Sequence, residues 1–527
     1  MLKSNKDIIN IVLTVSTLLG LSLLLCLPEV CYMYYNGVNI SRFLCTITLA
    51  FFISSFLLAI PSKIAKWILI IFIWLLSFAE LVMLVSFYSY LTCGEIIACF
   101  CGTKQEWLML LGFFWVQNKV WWIGSIVLLG SILFSVIKIH SVSLRLIINA
   151  AIAGILCIFA ILFSPTKIKE IFPLCTCYNI SCSIKELTTL YKEQHKQCSI
   201  SYNANHQDSS MNQKLFVLAI GESLRYKNLG INGLYARQTT PMLSECANLE
   251  LYSDCFASGV LTQYSLPLLL SSATATTFDE HYKEGRIGKV FKEAEFKTYI
   301  VSHSNQCTND GVHTYLRYGF DSVIYVKEDS LIAPCINEIS KNEEKAFILV
   351  HYQGNHFFYA NRTPAYGKWL PDINDNLSAK SDSLFINAYD NSVLYTDYIL
   401  SQGIKALDTL NRISTFVFIS DHGDYFDERI AVHGHTYHPT KEEYHVPLMV
   451  WYSDEYKEAY PEKVANVIKH KDEPVCADHV FWSVLDMADI RIDGTLQQDG
   501  MSVFGDTLLP HRRTLLLPDG RSVLTLD

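Results

Sequence analysis

Two patterns of hydrophobic and polar positions divide the chain. Over roughly the first 165 residues apolar positions run together in long blocks, whereas beyond them they fall into short runs between mixed, helix-length segments. Five long blocks, 8–27, 43–60, 67–90, 121–139 and 146–163, match the roughly 17–25 residues with which an α-helix crosses a bilayer. The first is followed by four more and has no small-residue cleavage site before Pro28, so it reads as a span rather than a signal peptide. Lys3, Lys6, Lys63, Lys66, Lys138 and Arg145 fall in loops on one side of a five-span arrangement. Such an excess of positive charge marks the cytoplasmic side and puts everything after Ser164 outside. The stretch 95–114, EIIACFCGTKQEWLMLLGFF, is apolar with a few charges, and is expected as a helix in the membrane interface with Trp107 as its anchor.

From residue 214 the pattern changes. Short apolar runs at 215–220, 298–301, 347–351, 415–419 and 447–451 are spaced by helical segments. That alternation predicts a largely parallel α/β sheet with helices on both faces. The expected division is a five-helix transmembrane domain at 1–165, a junction at 166–212 and a globular α/β domain at 213–527. The junction holds a helical piece at 183–192 and a polar linker at 201–210.

Chemistry gathers at the ends of the short runs. In open α/β sheets ligands bind beyond the carboxyl ends of the strands. The stretch 214–225, KLFVLAIGESLR, ends its apolar run in Gly221, Glu222 and Ser223; alone, this would read as a helix cap. It is not alone, because 415–419 ends in Ser420-Asp421-His422-Gly423. His351 and His356 follow the third run, and Asp424, His433 and His435 follow the fourth, with His445 before the last. Thr262, Tyr264 and Ser265 lead into an apolar helix near Pro267. A hydroxyl there is either an ordinary N-cap or a nucleophile whose anionic product is favoured by a helix N-terminus. Mixed His, Asp and Glu ligands suit a catalytic zinc, where carboxylates alone would suit magnesium. Such a metal lowers the pKa of a hydroxyl and neutralises phosphoryl charge, so the residues point to a metal-dependent enzyme acting on a phosphorus or sulfur ester.

The net charge of −9, with no basic stripe, excludes nucleic acid as a partner. Sixteen cysteines, nine of them beyond residue 170, indicate an oxidising compartment. Cys246 and Cys255 are spaced to close a small loop, and Cys175, Cys177, Cys182 and Cys198 cluster near the junction. The run CTCYNISC lacks the paired CxxC spacing of a zinc module.

Six motifs in order resemble one family. They are GES at 221–223, TxYSxP from Thr262, YDNSVLYTD at 389–397, SDHGD from Ser420, HG at His433 and HVP at His445. This set is similar to that of the membrane-anchored phosphoethanolamine transferases, which include the lipid A modifiers behind polymyxin resistance and belong to the alkaline phosphatase/sulfatase superfamily. The likeness covers most of 213–455, and the five-span N-terminal part fits it. The resemblance implies one zinc held by Glu222, Thr262, Asp421 and His422, with Thr262 the nucleophile that accepts phosphoethanolamine. It assigns His356 and His433 to substrate, leaving group or a second zinc, and Glu95 to the substrate side through the interfacial loop. It implies phosphatidylethanolamine as donor, lipid A or another envelope saccharide as acceptor, and an inner-membrane protein with its catalytic domain in the periplasm. Ser258 and Leu268 stand where the best-known lipid A enzymes have a disulfide around the nucleophile, leaving Cys246–Cys255 as the expected brace. Asp310 stands where some members have a substrate-binding Lys, and Phe357-Phe358 replaces the usual Gly-Pro after His356.

Three other readings remain at this level. A sulfatase needs a C/S-x-P-x-R signature, and Ser265-Leu266-Pro267-Leu268-Leu269 lacks the Arg. A glycerol-phosphate transferase of the lipoteichoic-acid type shares the topology and the threonine. A metal-binding envelope module without turnover would not need Glu222, Thr262, Asp421 and His422 together.

Overall fold

The computed structural model describes residues 5–101, 104–139, 148, 152, 154–155, 171–194, 201–207, 213–282, 286–303, 317, 319–357, 359–361, 367–372, 382–426, 431–432, 438–493 and 499–526. The chain forms two compact units, one of residues 1–96 and 104–186, the other of 97–103 and 187–527.

In the first unit, α1 (Asn5–Asn36), α2 (Ile40–Ala59), α3 (Lys63–Phe87), α4 (Cys93–Cys101) and α5 (Lys104–Lys138) follow one another. Four of these, α1, α2, α3 and α5, contain stretches long and apolar enough to cross a membrane. They contain the expected span 8–27, all but the last residue of 43–60 and of 121–139, and most of 67–90; the fifth, 146–163, lies largely outside the described residues. The expected interfacial helix at 95–114 is divided between α4 and the start of α5, and α5 then continues through the fourth span. Asn39 and Ser62 cap α2 and α3 by accepting from Arg42 and Ala65 backbone N–H groups. Leu21, Leu24, Leu57, Leu58, Ile70, Ile132 and Val136 fill the seam between the helices. Ile9, Leu19, Ile64, Ile68 and Val127 stay exposed, as suits a lipid-facing surface. A charge pair in this bundle's interior is matched locally: Arg42 pairs with Glu29 and lies 4.1 Å over the Tyr32 ring, while Tyr90 donates to Glu29 at 2.5 Å. The helical piece expected at 183–192 lies within α6 (Leu174–Gln194).

The second unit is built on a seven-stranded sheet. In chain order its strands are β1 (Lys214–Gly221), β2 (Leu249–Tyr252), β3 (Lys297–Ser302), β4 (Ser322–Tyr325), β5 (Lys345–His351), β6 (Ile413–Ser420) and β7 (Leu448–Tyr452). They lie side by side as β2-β7-β6-β1-β5-β3-β4. Five neighbouring strands, β6 to β4, are parallel, while β7 runs antiparallel to β6 and β2 antiparallel to β7. The sheet is therefore mixed, with the five expected strands all present and the last of them reversed. The two additional strands, β2 and β4, are four-residue edges with half-buried side chains, too short and too polar to stand out as apolar runs. At the centre, β1 and β6 are buried along their whole length, as strands covered on both faces must be. Helix α7 (Thr262–Leu269) and the long α8 (Asp382–Asp408) complete what the site needs.

Phe347 of β5 is fully buried and stacks on Phe291 with ring centroids 3.8 Å apart. Phe347→Ala is expected to destabilise this unit by about 3–5 kcal/mol, read as a lower denaturation midpoint at unchanged slope.

Candidate metal centre

Register brings the first two acidic groups together. In the parallel β1/β6 pair Gly221 lies opposite Ser420, so the next residues on each strand, Glu222 and Asp421, leave the sheet side by side. The Asp421 N–H donates to Gly221 O at 3.0 Å, and Asp421 Oδ1 accepts from the Ser223 N–H at 3.1 Å. Ser223 takes a left-handed conformation, φ 57°, which turns the chain sharply behind Glu222. On the other strand the His422 Nδ1–H donates to Gly423 O at 2.7 Å, which turns Nε2 toward the carboxylates. Gly423 is required by space: a Cβ there would lie 2.0 Å from Glu442 O.

Thr262 is the first residue of α7, preceded by Leu261 in extended conformation, and its side chain is turned to the site. Its hydroxyl is 3.0 Å from both Glu222 carboxylate oxygens and 3.3 Å from His422 Nε2. His422 Nε2 is itself 3.1 Å from Glu222 Oε1 and 3.3 Å from Asp421 Oδ2. Glu222, Asp421 and His422 are buried, and Asp421 Oδ2 has no hydrogen-bond partner. Two buried carboxylates facing one imidazole are a poor arrangement by themselves. They fit a cation. A tetrahedral zinc with bonds of roughly 2.0–2.2 Å has ligands about 3.3–3.6 Å apart, close to the spacings here. Burial and the Glu222 charge push the Asp421 carboxyl above the usual carboxylate range. Burial works against the charged His422 imidazole, but Asp421 and Glu222 outweigh it and push its pKa up.

Not every expected residue joins this cluster. His356 follows β5, half-buried, with Nδ1 3.4 Å from Phe357 O. His433, His435, Phe358 and Asp310 lie outside the described residues. His445 serves packing: its ring stacks on Tyr226 at 4.4 Å and Nε2 bonds to Ser253 O at 3.0 Å. Glu95 belongs to the first unit, where it accepts from the Thr92 N–H at 2.5 Å while the Thr92 hydroxyl accepts from its own N–H, a capping pair for α4. The expected Cys246–Cys255 brace is absent. Cys255 is fully buried in a two-residue strand opposite Val475, while Cys246 Sγ lies 3.5 Å from Met242 O. The loop before Thr262 is held otherwise: the Ser258 hydroxyl donates to Asp478 at 2.6 Å, Leu516 N–H donates to Ser258 O at 2.8 Å, and Leu268 packs with Leu261, Tyr264 and Leu516.

The residues that position this cluster come from the motif at 389–397 on α8. The Tyr389 hydroxyl donates to Ser223 O at 2.7 Å and accepts from the Arg225 N–H at 2.8 Å, clamping the turn behind Glu222. Asn355, fully buried, is held by Ser392 at 2.6 Å and Thr396 at 3.0 Å, and its N–H donates to Glu222 O at 3.0 Å. Asp390 accepts from Asn228, Tyr235 and Arg237, and Asp397 from the N–H groups of Met242 and Leu243. The signal in the sequence was a run of hydrogen-bonding side chains on successive turns of a helix that is otherwise core.

The sulfatase family profile matches residues 214–490, more than half of the chain, and the chain belongs to that family. The curated proteins it is similar to include phosphoethanolamine transferases. It is 28% identical over 260 residues to the Kdo(2)-lipid A phosphoethanolamine 7''-transferase of Salmonella typhimurium, covering 46% of this chain and 44% of that one. It is 25% identical over 333 residues to phosphoethanolamine transferase EptC of Escherichia coli, covering 59% and 57%. The chain thus spans about half the length of the curated relatives it matches. Among solved structures, the integral membrane lipooligosaccharide phosphoethanolamine transferase A of Neisseria meningitidis superposes with a TM-score of 0.74 at 18% identity, over 93% of this chain and 98% of that one. The periplasmic domain of Escherichia coli EptC in complex with Zn gives 0.53 at 23% identity, over 60% and 93%. These likenesses establish a shared fold.

Although burial opposes it, the neighbouring Asp421 and Glu222 favour the protonated His422 imidazole, so protons compete with a cation for this cluster. Adding zinc to the chelator-stripped chain near pH 7 is expected to release protons, read with an indicator dye in weak buffer, with affinity falling as pH falls. Tyr389→Phe is expected to weaken zinc binding about 10–100-fold in a chelator competition while the fold persists, since it loosens the support of a ligand and not the ligand.

Proposed function

We propose that this chain is a zinc-dependent phosphoethanolamine transferase of the bacterial inner membrane, with its catalytic unit in the periplasm. The donor is phosphatidylethanolamine, and the acceptor is a phosphate or hydroxyl of an envelope glycolipid of the lipid A type. The observation that carries this reading is the Thr262 hydroxyl at the head of a helix, 3.0 Å from both oxygens of Glu222. The similar phosphoethanolamine transferases support the group transferred and the glycolipid acceptor, and the zinc in the EptC domain supports the metal.

Glu222, Thr262, Asp421 and His422 would hold the zinc. When bound, it lowers the pKa of a hydroxyl and offsets phosphoryl charge. Thr262 Oγ forms a bond to the donor phosphorus, and the phosphorus–oxygen bond to diacylglycerol breaks, diacylglycerol leaving with a proton. An acceptor oxygen then bonds to phosphorus and the bond to Thr262 breaks, restoring the hydroxyl. Glu222 accepts the threonine hydrogen bond and so orients the hydroxyl, and Tyr389 and Asn355 keep Glu222 in place. His356 and His433 serve the departing and attacking oxygens as proton carriers. Glu95, as cap of α4, shapes the substrate side of the membrane unit.

Lipid A and core saccharide from cells expressing wild type or Thr262→Ala are to be compared by mass spectrometry. Added phosphoethanolamine on lipid A, reduced on the order of 10³-fold or more in the variant, is expected. Addition on core sugar would move the acceptor. No addition, with phosphatidylethanolamine unconsumed, would overturn the transferase reading in favour of glycerol-phosphate transfer.

A further inference from the structure

A second cluster with metal-ligand chemistry lies beside the loop that leads to Thr262. Cys476 ends a short strand (Val475–Cys476) that pairs with Cys255–Phe256. Asp478 begins the helix Asp478–Met487, and His511 comes from the segment before the strand Thr514–Leu516. One ligand atom from each of Cys476, Asp478 and His511 lies within 4.8 Å of the others. Cys476 and Asp478 are buried, and the His511 side chain is 26% exposed, leaving a way in from solvent. His511 Nε2 is 3.1 Å from Asp478 Oδ2, while Asp478 Oδ1 takes the Ser258 hydroxyl.

His479 closes one side of the cluster. Its Nδ1 accepts the Cys476 N–H at 3.1 Å and lies 3.4 Å from Cys476 Sγ. A buried thiol and carboxylate brought this close to an imidazole are costly to desolvate unless something uses them.

We propose that Cys476, Asp478 and His511 form a divalent-metal site of their own, sharing no residue with the Glu222 centre. One sulfur, one oxygen and one nitrogen ligand suit zinc, a borderline-soft ion that takes all three donor types. Three protein ligands leave a fourth position for water. The site is structural. It joins three segments around Ser258, whose carbonyl also receives the Leu516 N–H at 2.8 Å, and Gly259 bridges to Leu516. Occupancy would therefore stiffen the loop that leads to Thr262.

The test uses cobalt, which reports thiolate ligation by a near-ultraviolet charge-transfer absorption. The full-length chain carrying Asp421→Asn, to remove the first centre, is stripped with chelator and titrated with Co²⁺. One equivalent bound with that absorption is expected, lost on adding Cys476→Ser and at least about tenfold weaker on adding His511→Ala. No thiolate absorption, or an absorption that survives Cys476→Ser, would overturn the site. Should Cys476→Ser fail to fold, His511→Ala decides: unchanged affinity and absorption would overturn it equally.

Discussion

Everything in the candidate site depends on two parallel strands holding one register. With Gly221 opposite Ser420, two carboxylates leave the sheet into the same buried space, and the repulsion between them is relieved only by a positive centre. A shift by one residue would turn Asp421 away and bury Glu222 without a partner. The strain of placing like charges together is thus built into the central sheet, where complete burial on both faces gives the register its firmness. Second-layer groups then fix the side chains: Gly423 O orients the imidazole, Ser420 reaches the Leu224 N–H, and Tyr389 closes the turn.

Much of this was legible in the chain because buried parallel strands are written as uninterrupted apolar runs, and because reactive groups sit just past their ends. Glu222, Asp421, His422 and Thr262 are brought together as those positions implied. Edge strands β2 and β4 were not legible, since a half-buried strand of four residues carries no contrast with its surroundings. Nor was the reversal of β7, because direction leaves no mark on a run of five apolar residues. The expected Cys246–Cys255 link failed for a related reason: spacing along the chain says nothing of which face of a strand a thiol occupies. Here Cys255 faces a core while Cys246 sits in a 3₁₀ turn's wake, each with its own neighbours.

The motif on α8 shows why sequence alone assigns too little to scaffolding. In the sequence it stands only as a family motif, yet its described side chains spend their hydrogen bonds on backbone and side-chain groups of loops at 223–243 and at 355 and 368–369. Long helices are stiff, so loops bonded to one helix share its rigidity. A catalytic group held to a small fraction of an ångström needs that kind of support.

The hydrogen bond from Ser223 to Asp421 spans 198 positions of chain. A polypeptide emerging in order exposes its threonine and first carboxylate long before the residues that complete the centre. During synthesis the four groups therefore stay apart until the sixth strand of the sheet has arrived. Assembly of the sheet acts as a timing device, delaying completion of the cluster until the whole unit has been made.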